Sequence, residues 1–89
     1  VILKRRYKMK DAIVKLIESN YKKSRVWKID LSGDYLTLNC TTNRGGLHPY
    51  IALRILNKYP EIRTVHFTGG WVEGVYTRET LRWSGYKVK

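Results

Sequence analysis

From Val26 to Cys40, apolar and polar residues alternate about a central Gly33–Asp34 pair. This pattern constrains the chain more than any other. A two-residue turn at Gly33–Asp34 folds the segment into a β-hairpin. That register pairs Leu31 with Leu36, Ile29 with Leu38 and Trp27 with Cys40, and all six side chains project to one face. Lys28, Asp30, Tyr35, Thr37 and Asn39 take the other. A sheet built this way is covered on one side and open on the other, so the chain must supply helices as its second layer.

It does so. Met9, Ala12, Ile13, Leu16, Ile17 and Tyr21 recur at helical spacing and predict a helix over residues 8–23. Pro49 suits a first helical turn, Ile51, Ala52, Ile55, Leu56 and Tyr59 form an apolar stripe behind it, and Pro60 ends it. A second hairpin is expected over about residues 62–76, with Gly69–Gly70 as its turn. Its register pairs Phe67 with Val72 and Val65 with Gly74 toward the core, and Thr68 with Trp71, His66 with Glu73 and Thr64 with Val75 on the open face. Thr77 would cap a short helix through Trp83, ended by Gly85; the alternation of Leu81 and Trp83 also fits a strand. Residues 1–7 read as a flexible basic arm or an edge strand, and residues 84–89 as an edge strand or a frayed tail.

At an offset of 36 residues the hairpins align: Ile29 with Val65, Leu31 with Phe67, Gly33 with Gly69, Tyr35 with Trp71 and Leu36 with Val72. A helix precedes each, so the chain reads as two helix–hairpin units. The expected fold is therefore α+β, a single two-layer domain over residues 1–89 in the order αββαββ. Its antiparallel or mixed sheet has four or five strands, with two main helices on one face.

Charge narrows the partners. The first 28 residues hold ten Lys and Arg against two acids, a net +8, while the remaining 61 hold eight against five, a net +3. So steep a gradient attracts a polyanion and shows which end meets it. Nucleic acid is the expected partner. An acidic protein surface is the alternative, with Trp71, Trp83, Tyr76 and Tyr86 as anchors, and a homodimer is open through an edge strand. No apolar run is long enough to span a bilayer, and the apolar start is too short for a signal peptide, so no membrane partner is expected. The lone Cys40 allows no internal disulfide and no cysteine metal site; it reads as a core thiol in a cytoplasmic or otherwise reducing compartment. No cofactor and no metal are expected, and the missing initiator Met reads as a processed chain or an excised piece.

Four places carry candidate chemistry. Lys4, Arg5, Arg6, Lys8, Lys15, Lys22, Lys23 and Arg25, on the arm and first helix, are expected to hold phosphates regardless of base sequence. On the open sheet face Tyr35 and Trp71, with Lys28 beside them, offer stacking surfaces among cations. The loop Asn43–Arg44–Gly45–Gly46 runs into a helix start that favours anions, with Arg44 as the contact, although its spacing is not that of a P-loop. The cross-strand pair His66–Glu73 could run acid–base cleavage of a phosphodiester without metal. Non-catalytic nucleic-acid binding, with DNA ahead of RNA, is the reading these features favour together.

The element order is also that of a LAGLIDADG homing-endonuclease half, and the stretch Ile13 to Tyr21 is similar to that motif at Leu16, Ile17 and Glu18. Lys15 and Tyr21 stand where the motif has small residues and Asn20 where it has a metal-binding acid, so no family is assigned.

Overall fold

The computed structural model describes residues 2–42, 45–69 and 73–89, and their side chains except those of residues 2–6 and 45. Its elements run α1 (Ile2–Asn20), β1 (Arg25–Ser32), β2 (Tyr35–Thr41), a 3₁₀ turn (Gly45–Leu47), α2 (His48–Lys58), β3 (Thr64–Thr68), β4 (Gly74–Thr77) and α3 (Arg78–Trp83). The fold is α+β. The strands form one mixed sheet in the order β1-β2-β3-β4. Both hairpins are antiparallel, and β2 and β3 meet in parallel at the centre, with α2 in the crossover between them.

The first hairpin turns as the sequence requires. Gly33 sits at φ +61, the sign that the first central position of a tight hairpin turn needs. Leu31 faces Leu36 and Ile29 faces Leu38. The carbonyl of Asp34 accepts from the N–H groups of Arg63 and Thr64 at 2.9 and 3.3 Å, which ties this turn to the entry of β3.

One face of the sheet is core. Leu31, Leu36, Leu38, Cys40, Val65 and Phe67 pack with Ile13 and Ile17 of α1, Ile51, Ala52, Ile55 and Leu56 of α2, and Leu81 of α3 in a single buried cluster. Alternation along the strands sends Tyr35, Thr37, Asn39, Thr64 and His66 to the opposite face, away from the helices.

Four expectations need correction. Trp27 does not face Cys40. A β-bulge between Val26 and Lys28 brings Val26 opposite Cys40, and Trp27 stands 66% exposed. The smaller Val26 takes the place beside the core, while the extra residue of a bulge is the one left unpaired. The second hairpin is paired two positions away from the expected register. Phe67 faces Gly74 and Val65 faces Tyr76. The two-residue turn at Gly69–Gly70 is thus replaced by a longer connection, and Gly70, Trp71 and Val72 lie outside the described residues. A shift of two keeps the faces of the strand, so Tyr76 supplies the apolar contact expected of Val72. It packs edge-on against Phe67, ring centroids 5.8 Å apart. The two hairpins are accordingly not copies in detail.

The basic segment at the front is helical from Ile2 onward rather than an arm or a strand. The C-terminal tail is neither a strand nor frayed. Asn57 of α2 holds it, accepting from the Lys89 N–H at 2.9 Å and donating to the Lys87 carbonyl at 3.4 Å. Thr77 does cap α3, through a reciprocal capping box with Thr80, and Gly85 follows the helix at φ +90. No helix among the described residues is long and apolar enough to cross a membrane.

Candidate nucleic-acid interface

Three cations gather on the helical side of the sheet. On the helical side an open groove runs between the C-terminal halves of α1 and α2. Lys15, Ser19 and Asn20 line one wall, Arg54 and Lys58 the other, with Ala12 and Leu16 adding apolar surface. No acid lines it. Glu18 turns to the sheet instead, where Oε2 accepts from the Val26 N–H at 3.1 Å. Among the described residues none of the three groove cations is ion-paired. Lys58 lies in the last turn of α2, where the negative end of the helix dipole favours a cation. Arg54 lies over the Tyr21 ring, 5.8 Å from its centroid, and Lys58 over the Tyr59 ring at 5.7 Å, so both side chains rest on aromatic faces.

The sequence pointed to Lys15 but not to Arg54 and Lys58. Their spacing of four residues places them on one side of α2, and both are exposed. That much was readable; their position across from Lys15 is a matter of helix packing. Lys8, on α1, and Lys22, in the turn after it, are exposed, as are Lys23 and Arg25. The backbone of Lys4, Arg5 and Arg6 continues α1 toward its start.

Lys28 and Tyr35 lie elsewhere. Lys28 faces Asn39, and Tyr35 stands beside Thr64, on the open face of the sheet. A rigid ligand laid in the helical groove does not reach them. Tyr35 is also occupied: its hydroxyl meets His66 Nδ1 at 3.1 Å, and its ring stands edge-on to the imidazole. His66 Nε2 in turn meets Glu73 Oε1 at 3.0 Å. The expected His66–Glu73 pair therefore forms, although His66 is registered with Val75. With the Glu73 carboxylate accepting from Nε2–H, Nδ1 accepts from the Tyr35 O–H. Both ring nitrogens are engaged, so the ends of this chain are the Tyr35 hydroxyl and the exposed Glu73 carboxylate. Nothing in the sequence marks Tyr35 as its third member, because the parallel β2–β3 pairing creates that neighbour.

Arg44 and Trp71, both expected to contact nucleic acid, lie outside the described residues. At the start of α2, His48 is buried, and its ring stacks on Phe67 at 4.4 Å and 14°. Neither ring nitrogen has a hydrogen-bond partner among the described residues, and burial lowers its pKa below the ordinary histidine range. Cys40 is a buried free thiol, as expected. Among the described residues no group of three or more His, Cys, Asp or Glu side chains is arranged to hold a metal ion. The chain matches no family model, no curated protein and no solved structure.

Proposed function

We propose that this protein binds nucleic acid without cleaving it, holding the phosphate backbone on its helical side. The observation that carries this reading is the α1–α2 groove, where Lys15, Arg54 and Lys58 converge with no acid among them. Lys8, Lys22, Lys23 and Arg25 are further exposed cations on or just after α1, with Lys4, Arg5 and Arg6 along its first turns. Each phosphate neutralised releases counterions. Ser19 and Asn20 add the short polar side chains that accompany backbone contacts.

A mobility-shift titration at two salt concentrations tests this. Three phosphate contacts contribute a log–log salt slope of about −2.1 to −2.7, a loss of about 20- to 40-fold in affinity between about 50 and 200 mM salt. The triple variant Lys15→Ala, Arg54→Ala, Lys58→Ala should lose that share of the slope. A wild type indifferent to every oligonucleotide at low salt, or a triple variant with the wild-type slope, refutes the reading.

The Tyr35–His66–Glu73 chain favours one second reading, metal-independent cleavage of RNA. His66 would take the proton of an attacking 2′-hydroxyl through the Tyr35 hydroxyl and return it the same way to the leaving 5′-oxygen as the P–O5′ bond breaks and a 2′,3′-cyclic phosphate forms, with Glu73 holding the imidazole in the needed tautomer. Incubating labelled RNA with wild type and His66→Ala decides it; intact RNA with wild type removes this reading and leaves the binding proposal standing.

A further inference from the structure

We propose that the nucleic acid is single-stranded and that Trp27 stacks on one of its unpaired bases. This rests on the nucleic-acid reading above and specifies the form of the ligand. It begins from an anomaly. A regular hairpin would have buried Trp27 against Cys40, and an indole gains much from burial. The bulge instead leaves a ladder position unpaired and places the ring outside, 66% exposed. Bulges re-aim side chains in this way. The ring is also held: Trp27 Nε1 donates to Thr41 Oγ1 on the neighbouring strand at 3.2 Å. An exposed indole fixed by its one polar atom presents an apolar face at low entropic cost.

Its surroundings are cationic. Arg25 and Lys28 flank it in β1, Lys22 and Lys23 precede it, and all four are exposed. Aromatic faces among cations suit bases and phosphates together. A bulge also protects an edge strand, but a charge serves that end and an anchored indole adds nothing to it.

A stiff ligand cannot meet both the groove cations and Lys28. Lys15, Arg54 and Lys58 lie on the helical side, and Lys28 on the open side of the sheet. β1 is the edge strand between them. The route from groove to open face follows the chain itself, from Asn20 at the end of α1 through Lys22, Lys23 and Arg25 to Trp27. Duplex DNA, with a persistence length of about 50 nm, cannot turn around one edge strand. A single strand can, and its bases are free to stack.

Binding of a 12-nucleotide oligothymidine, an oligouridine of equal length and a duplex of equal length is measured by fluorescence anisotropy for wild type, Trp27→Ala, Trp27→Phe and Thr41→Val. The single strands should bind more tightly than the duplex, and the two sugars are told apart by the first two arms. Trp27→Ala should weaken single-strand binding by about 5- to 150-fold and leave duplex binding nearly unchanged. Trp27→Phe should retain most of the affinity, and Thr41→Val should fall between. Trp27 is exposed, so thermal melts of these variants should stay near wild type, and a folded Trp27→Phe keeps the comparison valid if Trp27→Ala melts early. Wild-type affinity in Trp27→Ala, or a preference for duplex, overturns this inference while the groove reading stands. Binding to none of the three overturns both.

Discussion

Arg78 opens α3, yet its guanidinium serves α2. It donates to the carbonyls of Leu56, Tyr59 and Ile62 at 2.7, 3.1 and 2.7 Å. A cation in the first turn of a helix opposes the helix dipole, so its place there is explained by the carbonyls it reaches at the far end of α2. Leu56 is one of the last four carbonyls of α2, which have no partner inside the helix, while Tyr59 and Ile62 follow the helix and the Tyr59 carbonyl also accepts from the Ile62 N–H at 3.1 Å. Replacing Arg78 with Met keeps much of the length and removes all three bonds. Hydrogen bonds to a charged group contribute about 1.5–3 kcal/mol each. Arg78 is only half-buried, so water replaces part of the loss, and a net cost of about 2–4 kcal/mol is expected. A domain of this size holds roughly 5–13 kcal/mol in total. At about 4–8 °C per kcal/mol, Arg78→Met should lower Tm by about 10–25 °C in a calorimetric or circular-dichroism melt. Arg78→Lys, with a single ammonium head, should recover part of it. A fall of less than about 3 °C for Arg78→Met would show that the clasp contributes nothing to stability.

Burial, and second the charge of Glu18, push the Cys40 thiol up to about 11, so it should resist a thiol reagent at neutral pH until the protein is unfolded in denaturant; native-state labelling at the unfolded rate contradicts this. His48 is held below the ordinary histidine pKa, so above about pH 6.5 it is neutral in both states, and as pH falls further the unfolded chain takes a proton the folded one refuses. Stability should drop by up to about 1.4 kcal/mol per pH unit below about pH 6.5, and urea midpoints for His48→Met should lose that part of the slope. Lys23 takes φ +64 in the turn after α1; Lys23→Gly should stabilise by about 0.5–1 kcal/mol in urea titrations, because glycine carries no penalty there, and a destabilised variant would show that the Lys23 side chain has a structural role.

Both helix stripes and the Gly33–Asp34 turn were legible in the sequence, and the Thr77 cap was one of two readings it allowed, because each depends on neighbours within a few positions. Hydrophobic spacing fixes a buried face, and a turn or cap is a local bargain between one side chain and nearby backbone. The open and covered faces of the sheet were legible for the same reason, since alternation survives even the two-residue shift in the second hairpin. The excess of cations near the front is likewise a property of composition alone.

What tertiary structure decided is where distant segments meet. The choice between Val26 and Trp27 as the residue opposite Cys40 depends on how much room the core leaves, which alternation does not encode. Tyr35 joins His66 because β2 and β3 run in parallel, and Arg54 and Lys58 face Lys15 because α1 and α2 pack over the same sheet. Arg78 reaches back across sixteen to twenty-two residues to close α2. Local order is set by short-range sterics and hydrogen bonds, whereas these contacts exist only once the whole layer is assembled.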